Sequence, residues 1–473
     1  MQALRQADSL PGPRGLPLFG SALQIKPARF HQQLETWAHQ FGPLYRLRLG
    51  NRRIVVVGDH ELVAAVLRDR PDGFRRTTRL EQIWTELGLQ PFVFGLNGEA
   101  WRRQRRLVMA AFDPGHVKGY FPLMQVVAQR LAQRWALAAR QGAAIDLQAD
   151  LMRFTVDTIA GLAFGAEVNT LQSDGDVIQQ HLDKIFPALF KRVLAPLPTW
   201  RWWQSPADRR LAHSIAEVKA AVDGFIAQAR ARLPAGHGAD SKPRNLLEAM
   251  LAAADQPDSG IDDAQVAGNV LGMLLAGEDT TANTVAWMIH LLWRHPEALQ
   301  RARDEVRRVV GTDGEASLEQ LAQLDYLDAC AHETMRLKPV APVLPLEALH
   351  DVVVGDVVVP AGHVVINLMR RDSVSDSHVP RAAAFEPERW LADGGPAQQA
   401  ASARRTAMPF GAGPRICPGR YLALLEIKMA MVALFCHFDI DSVTTPDGNE
   451  AREHLAFTMA PLGLTMRLRE RVR

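Results

Sequence analysis

The sequence predicts a mainly α-helical protein with a smaller β portion, of the α+β class. Most of the 473 residues fall in long runs whose apolar side chains recur every three to four positions, which is the spacing of one helix face. Short valine-rich runs interrupted by Gly-Asn or Gly-Asp pairs indicate β-hairpins. A glycine- and proline-rich loop then presents one cysteine just before an apolar helix. The chemistry is therefore expected at that loop.

The composition narrows the function classes. Lys and Arg total 54 and Asp and Glu total 52, so the net charge of +2 gives no reason to expect a nucleic-acid partner. The three cysteines, Cys330, Cys417 and Cys436, are too far apart for a disulfide framework or a closely spaced zinc site, which favours a reducing compartment. Residues 1–20 contain no apolar run of signal-peptide length, so we expect a cytoplasmic protein.

The N-terminal quarter is predicted to mix helices with one hairpin. Residues 1–27 read as an irregular, proline-rich lead-in. Periodicity fades over 74–96, so a surface loop is expected there. The predicted elements are a helix over 28–40, a hairpin over 45–57, a helix capped by Asp59 over 60–68, and a helix over 99–112.

Long helices dominate the remainder. They are predicted over 118–140, 147–164, 177–193, 206–232, 262–294, 296–310, 317–321, 324–337 and 420–437. Hairpins are predicted over 352–359 and, around Pro461-Leu462-Gly463, over 456–469. Residues 234–245 look like a mobile connector. The aromatic loop at Trp200 to Trp203 is expected to pack onto the surface rather than touch a membrane.

The longest predicted helix carries Ala276-Gly277-Glu278-Asp279-Thr280-Thr281 in its middle. Acidic groups there argue against a membrane span, so a buried core helix without a transmembrane anchor is expected. Gly277 weakens the helix, and the Thr280 hydroxyl can compete for the carbonyl of Ala276, which predicts a local opening. A tolerated polar patch is the alternative, although buried polar groups are costly unless they serve something.

The loop Phe410-Gly411-Ala412-Gly413-Pro414-Arg415-Ile416-Cys417-Pro418-Gly419 places its cysteine at the start of the last long helix. The unpaired amides and positive dipole end of a helix favour an anion, so we expect a lowered thiol pKa and a soft ligand for iron. Gly411, Gly413 and Gly419 leave room for a flat, bulky group near the backbone. Read alone, a buried cysteine in an ordinary turn is the commoner alternative.

This loop resembles the heme-ligand signature of the cytochrome P-450 superfamily, Phe-x-x-Gly-x-Arg-x-Cys-x-Gly, at every fixed position. Further patterns of that family follow in its order and span residues 101–419. They are Trp101 with Arg105, the acid-alcohol pair Asp279-Thr280, Glu333 with Arg336, and Arg389.

The resemblance implies one P-450 domain over residues 1–473, with heme b between the long helix and the cysteine loop. It implies Cys417 as the iron ligand, Asp279 and Thr280 as the catalytic proton-delivering pair, and Glu333, Arg336 and Arg389 as a buried ion network. The cofactor-binding residues that it implies are Trp101, Arg105, Ala276, Gly277, Phe410, Gly411, Arg415, Cys417 and Gly419. The family often has a positive residue soon after the Glu-x-x-Arg helix that contacts the second heme propionate. Residues 340–346 contain no cation, so that role is not assigned.

The implied activity is insertion of one oxygen atom from O2 into an apolar small molecule, by hydroxylation or epoxidation. Electrons are expected from separate partners, a ferredoxin or flavodoxin with an NAD(P)H-dependent reductase, and a monomer is expected. Arg102, Arg103 and Arg106 could present a basic patch to an acidic electron-transfer partner. A peroxide-driven peroxygenase of the same fold, a heme sensor or carrier without turnover and a heme-free structural protein are the alternatives.

The substrate class stays open among fatty acids, terpenoids, steroids and aromatics. Candidate pocket residues are Phe92, Val93, Phe94, Ala276, Leu344, Met459 and Leu462. Arg75, Arg76 or Arg79 could hold a substrate carboxylate, although loop arginines are mostly solvated.

Overall fold

The computed structural model describes residues 4–112, 114–165, 168–173, 177–195, 197–232, 243, 245–391 and 397–471. Most of the connector expected at 234–245 lies outside these residues. The helices within them are α1 Phe30–Phe41, α2 His60–Arg68, α3 Thr78–Glu86, α4 Gly98–Ala111, α5 Pro114–Arg140, α6 Leu147–Phe164, α7 Val177–Leu182, α8 Ile185–Leu194, α9 Pro206–Arg232, α10 Leu246–Ala254, α11 Asp263–Arg294, α12 Pro296–Val310, α13 Leu318–Ala322, α14 Asp325–Leu337, α15 Ala397–Thr406 and α16 Arg420–His437. The predicted helical majority is confirmed.

Strands form a smaller β portion beside the helices. They are β1 Arg5–Gln6, β2 Leu44–Leu49, β3 Arg52–Val57, β4 Phe74–Arg75, β5 Ile145–Asp146, β6 Val343–Ala348, β7 Val352–Val354, β8 Val357–Val359, β9 Val364–Leu368, β10 Phe438–Thr444, β11 Glu453–Ala456, β12 Thr458–Pro461 and β13 Thr465–Glu470. The largest sheet has the order β2-β3-β9-β6-β4, with β3 and β9 parallel from the pair Ile54 and Val364 onward. The hairpins β2-β3 and β7-β8 confirm two predictions.

Two helical predictions need correction. The region expected to be a loop over 74–96 contains α3, which Thr77 caps and whose Ile83 and Trp84 are buried in the core. The helix expected over 177–193 is two helices, since α7 ends before Asp183 and α8 begins after Lys184. In both places the sequence has apolar spacing on only a short stretch, so the tertiary packing decides where the helix begins and ends.

The predicted C-terminal hairpin is also wrong. β12 pairs with β11 through a tight turn at Phe457, whose φ is +92°. β13 instead joins a second sheet, where it lies between β10 and β5. This pairing buries Met466 and Leu468 on one face of β13. The turn at Pro461-Leu462-Gly463 therefore connects two sheets.

The aromatic loop between α8 and α9 matches its expectation only in part. Trp200 packs against the protein, and its indole Nε1 donates to Glu86 Oε2 at 2.8 Å. Trp202 and Trp203 are instead 70% and 75% exposed. They do not fold back onto apolar surface.

Helix α11 is the central element of the molecule. Asp262 and Gln265 form the predicted capping box, and the helix ends at Arg294 before His295-Pro296. The Thr280 hydroxyl donates to the Ala276 carbonyl at 2.7 Å, yet the helix continues without a break, so the predicted opening is wrong. Residues 281–292 of α11, which surround Trp287, are all buried. Within the described residues, no helix has both the length and the apolar character that crossing a bilayer requires.

Candidate active site

The cysteine loop is held by its own turn and by the start of α16. The Cys417 amide donates to the Phe410 carbonyl at 2.9 Å, and Gly413–Arg415 forms a short 3-10 turn. Helix α16 begins at Arg420 with Gly419 as its N-cap, so Pro418 lies outside the helix. Cys417 is therefore two residues before the N-cap, slightly further from the helix dipole than predicted.

Burial raises the pKa of the Cys417 thiol above its ordinary value. The backbone amide of Gly419 and the charges of Arg105 and Arg420 act in the opposite direction and favour the thiolate. The prediction of a lowered pKa is thus wrong, because desolvation outweighs these groups.

Gly413 serves a different purpose from the one predicted for the glycines of this loop. A Cβ on Gly413 would lie 2.8 Å from the carbonyl oxygen of Leu67 and 2.7 Å from the Cα of Arg68. Its φ of +71° also disfavours other residues. Gly413 is thus needed for close packing on α2, whereas Gly411 and Gly419 have no such backbone neighbour.

Four arginines converge beside this loop, namely Arg70, Arg76, Arg105 and Arg415. Arg415 Nη2 donates to the Leu96 carbonyl at 2.7 Å, while its buried Nε has no hydrogen-bond partner. Burial and repulsion from Arg70 and Arg105 lower the pKa of Arg415 to about 9. Burial lowers that of Arg70 to about 10, and burial with repulsion from Arg70 and Arg415 lowers the pKa of Arg76 further.

These guanidinium groups lack a counter-ion among the described residues, since no carboxylate contributes to any of their pKa values. Like charges gathered in a partly desolvated region are costly unless an anion joins them. The arrangement therefore fits a ligand that brings negative charge, and two carboxylates suit planar guanidinium groups well.

Helix α4 supplies the predicted Trp101 and Arg105. Trp101 is buried, and the Arg415 guanidinium carbon lies 4.6 Å from its ring centroid. Arg105 Nη2 donates to the Ile416 carbonyl at 2.6 Å, directly before Cys417. Helix α4 thereby links Arg105 to the cysteine loop and places the Trp101 ring against the Arg415 guanidinium group. Of its other arginines, Arg102 pairs with Asp72, while Arg103 and Arg106 are exposed.

Sequence reasoning missed Arg70, and it grouped Arg76 with two arginines from which the structure separates it. The three arginines proposed for a substrate carboxylate separate in the structure. Arg75 pairs with Glu81, and Arg79 donates to the carbonyls of Arg192, Val193 and Ala195. Arg76 instead donates to the Phe94 carbonyl at 3.1 Å and lies 3.8 Å above the Phe94 ring. For Arg70 the available signal was a cation without an acidic residue three or four positions away, whereas Arg76 offered no such signal because Asp72 stands four positions before it.

The acid-alcohol pair lies on α11. Asp279 Oδ2 accepts a hydrogen bond from the Thr458 hydroxyl at 2.9 Å, and burial raises the pKa of Asp279 to about 6. Ala276 is exposed to solvent in a helix whose neighbouring residues are mostly buried. Gly277 does not share that face, because a Cβ there would lie 2.1 Å from Ile159 Cδ1 on α6.

The pocket candidates separate into wall and core. Phe94 stacks on Phe92 and contacts Phe457, which in turn stacks on Phe186 at a centroid distance of 4.4 Å. Phe186 and Phe457 were not predicted. Val93 is anchored by its amide, which donates to Asn269 Oδ1 at 3.0 Å.

Three further pocket candidates are placed elsewhere. Met459 is fully buried and its amide donates to the Val340 carbonyl. Leu344 packs against the smaller apolar cluster, while the preceding Val343 faces the main core. Leu462 is exposed at a turn.

The predicted ion network assembles below the loop. Glu333 accepts from Arg336 Nε at 2.8 Å and Nη2 at 2.7 Å, and from Arg389 Nε at 3.0 Å. All three residues are almost completely buried. Burial alone would raise the pKa of Glu333, but Arg336 and Arg389 bring it below the ordinary value.

Comparisons with known proteins agree on one family. The family model described as Cytochrome P450 matches residues 10–467. The bifunctional cytochrome P450/NADPH–P450 reductase 2 of Bacillus subtilis is 27% identical over 97% of this chain, and the self-sufficient cytochrome P450 monooxygenase CYP505E5 of Aspergillus niger is 28% identical over 98%. This chain spans 42% and 43% of those proteins. The crystal structure of the cytochrome P450DA heme domain superposes with a TM-score of 0.83 at 25% identity, covering 100% of this chain and 99% of that one.

Proposed function

The chain belongs to the cytochrome P450 family, and we propose that it is a heme-thiolate monooxygenase that inserts one atom of O2 into an apolar small molecule by hydroxylation or epoxidation. The observation that carries this proposal is the juxtaposition of Cys417 with four arginines that have no carboxylate partner in the part of the chain that the structure describes. Iron protoporphyrin IX requires one soft ligand for its iron and cations for its two propionate carboxylates. Heme b is the form proposed.

In this proposal Cys417 is the iron ligand and the arginines hold the propionates. Arg415 and Arg105, with the Trp101 platform, stabilise one propionate, and Arg76 with Arg70 is assigned to the second. Phe410, Gly411 and Gly419 would shape the loop that holds the porphyrin, and the small side chain of Ala276 would leave room for it. A thiolate-ligated heme supplies O2 activation, because the sulfur donates electron density that favours O–O cleavage.

The residues on α11 manage protons in this reaction. Asp279, with a pKa of about 6, exchanges a proton readily near neutral pH. The Thr280 hydroxyl donates its one proton to the Ala276 carbonyl, so its oxygen can accept a hydrogen bond on the heme side. The pair would let this helix deliver protons while its apolar remainder excludes bulk water.

The aromatic wall supports an apolar substrate. Phe92, Phe94, Phe186 and Phe457 form a continuous set of contacting rings above α11. We propose that they bind the substrate by apolar burial. Because Arg75 and Arg79 are engaged elsewhere and Arg76 faces the anion site, no arginine of this trio is assigned to a substrate carboxylate.

Electrons are proposed to come from a ferredoxin or flavodoxin with an NAD(P)H-dependent reductase. The Bacillus subtilis relative is named a bifunctional P450 and reductase, and the Aspergillus niger relative is named a self-sufficient monooxygenase. The exposed Arg103 and Arg106 on α4 would favour an acidic partner. We propose one domain over residues 1–473, supported by an apolar cluster from Phe30 to Leu468, and a cytoplasmic monomer, whose location the three free cysteines support.

A carbon monoxide spectrum of the reduced protein tests the central assignment. Thiolate-ligated iron gives a strongly red-shifted band, which we expect in the wild type and not in Cys417→Ser. Cys436→Ser is the matched control, since Cys436 is buried and its thiol donates to the Gly311 carbonyl far from the arginines. Survival of the shifted band in Cys417→Ser would refute the assignment. Turnover with peroxide alone, at a rate equal to that with NAD(P)H and a reductase, would favour the peroxygenase alternative.

A further inference from the structure

Two histidines and an aspartate lie together, apart from the residues assigned to the heme. His60 is the first residue of α2, Asp372 begins a short 3-10 turn after β9, and His378 follows that turn. One ligand atom from each of these side chains lies within 4.8 Å of the other two. In the part of the chain that the structure describes, no other group of three or more His, Cys, Asp or Glu side chains is gathered in this way. Imidazole nitrogens and carboxylate oxygens are ligands that zinc uses in proteins.

The distances between these atoms suit a single small cation. Asp372 Oδ2 lies 2.9 Å from His60 Nδ1 and 3.5 Å from His378 Nε2. Two ligands of a tetrahedral zinc ion, each about 2.1 Å from the metal, lie roughly 3.3 Å apart. The two observed distances bracket this value. The imidazole rings are also neighbours, with centroids 4.9 Å apart.

The His60 side chain is buried, and one of its nitrogens is unsatisfied. The residue is 6% exposed, and its Nε2 has no hydrogen-bond partner. Because Nδ1 faces Asp372, Nδ1 carries the ring proton when no metal is bound, and Nε2 is then a buried lone pair without a donor. When a cation binds Nδ1, the ring proton moves to Nε2. The exposed Glu61 carboxylate, 4.0 Å away, can then turn to accept it, as carboxylates do behind metal-bound histidines.

The other contacts of Asp372 orient its carboxylate and leave Oδ2 toward the histidines. Arg371 Nη1 donates to Oδ1 at 2.5 Å, and the His60 amide donates to Oδ2 at 2.8 Å. Carboxylates that bind metals are commonly held by such hydrogen bonds. Arg371 places one positive charge beside the group, which the negative charge of Glu61 offsets.

We propose that His60 Nδ1, Asp372 Oδ2 and His378 Nε2 bind one Zn²⁺ ion, with water as the fourth ligand beside the partly exposed His378. Two imidazoles with one carboxylate favour zinc over magnesium or calcium, which take sets of oxygen ligands. The ion would join the start of α2 to the segment after β9. The other end of α2 packs against Gly413 of the cysteine loop, so zinc would stabilise the support of that loop and take no part in the reaction.

Zinc binding can be measured on the full chain as purified, without an affinity tag. Chelator-treated protein is dialysed against a series of ZnCl2 concentrations, and bound zinc per chain is determined by elemental mass spectrometry. We expect binding to saturate at one zinc per chain and His378→Ala to lower the affinity about a hundredfold. His350→Ala is the matched control, because His350 is exposed on another turn. Zinc should raise the melting temperature of the wild type and of His350→Ala, but not that of His378→Ala.

X-ray absorption at the zinc edge identifies the ligands and needs no variant. We expect two imidazoles and oxygen ligands at about 2.0 to 2.2 Å, whereas sulfur at about 2.3 Å would place the ion on a cysteine and overturn the site. Equal affinities in the wild type and His378→Ala would mean an adventitious ion only. A wild type that binds no zinc, or an equal loss of affinity in His350→Ala, would also overturn the proposal. None of these outcomes depends on the carbon monoxide band, so the zinc site and the proposed function are tested independently.

Discussion

At the scale of single residues, the strongest signal is the set of unpaired arginines. An arginine at the surface keeps its charge cheaply, but Arg415 retains a pKa of only about 9 beside Arg70 and Arg105. Its aromatic contact with Trp101 compensates for part of the lost hydration. The remaining cost is offset when a dianionic ligand binds, so that ligand affinity and local stability depend on the same charges.

Arg76 provides a direct test of that interpretation. Arg76→Gln should increase the rate of heme dissociation about tenfold, because a charge-assisted hydrogen bond contributes roughly 1.5 kcal/mol. Transfer of heme to an excess of apomyoglobin measures this rate. Arg75→Gln is the matched control. The Arg75 guanidinium group pairs with Glu81, so its removal should leave the rate of heme dissociation unchanged. Equal rates in the two variants would exclude Arg76 from the anion site.

At the scale of elements, α11 distributes its polar groups over several neighbours. Glu278 faces Asp183, Asp279 faces β12 and Thr281 meets Glu426 on α16. Side chains within a single turn of α11 therefore interact with neighbours on three sides, and each interaction involves a carboxyl group. Burial raises the pKa of Glu426 to about 8, so this contact depends on pH.

Stability should fall as pH rises through the range set by Glu426. Below about pH 4.5 the group is protonated in both states, whereas between about 4.5 and 8 only the unfolded chain loses the proton. The difference corresponds to roughly 4 to 5 kcal/mol at most. Glu426→Gln should therefore flatten the loss of melting temperature between pH 5 and pH 8. Parallel melting curves for the variant and the wild type across this range would contradict the prediction.

Helices with long apolar periodicity were predictable from the sequence. The bounds of α6, α9 and α12 agree with the prediction, and the capping box at Asp262 placed the start of α11. Local chemistry dominates in these segments. The misses occur where partners distant in sequence decide the structure. Strand β13 has an alternating pattern that fits either a hairpin or the observed sheet, and only its neighbours β5 and β10 distinguish them.

The site was predictable where a resemblance covered it and obscure elsewhere. Cys417, Trp101 and Arg105 lie on recognisable patterns, and the structure brings them together. Arg76 and Arg70 gain their meaning from burial and mutual repulsion, neither of which a sequence displays.

At the scale of the whole molecule, the Glu333 network holds α14 to the segment that leads to the cysteine loop. Glu333 also accepts from Trp390 Nε1 and from the Glu386 amide. Arg336 Nη1 donates to the carbonyl of Ser373, which lies in a short 3-10 helix, and to the carbonyl of Ala382. One buried carboxylate thus orders a long segment that has little regular structure of its own.

Removing that carboxylate should destabilise the entire chain. Glu333→Gln leaves Arg336 and Arg389 buried with an uncompensated positive charge, which costs about 3 to 5 kcal/mol. Guanidinium unfolding of the heme-loaded protein, followed by tryptophan fluorescence, measures the loss. Glu388→Gln is the matched control, because Glu388 is on the same segment but half-exposed, and its pair with Arg301 should contribute less than about 1 kcal/mol. Similar losses in both variants would contradict this prediction. They would show that the buried Glu333 carboxylate stabilises the chain no more than the half-exposed Glu388 carboxylate does.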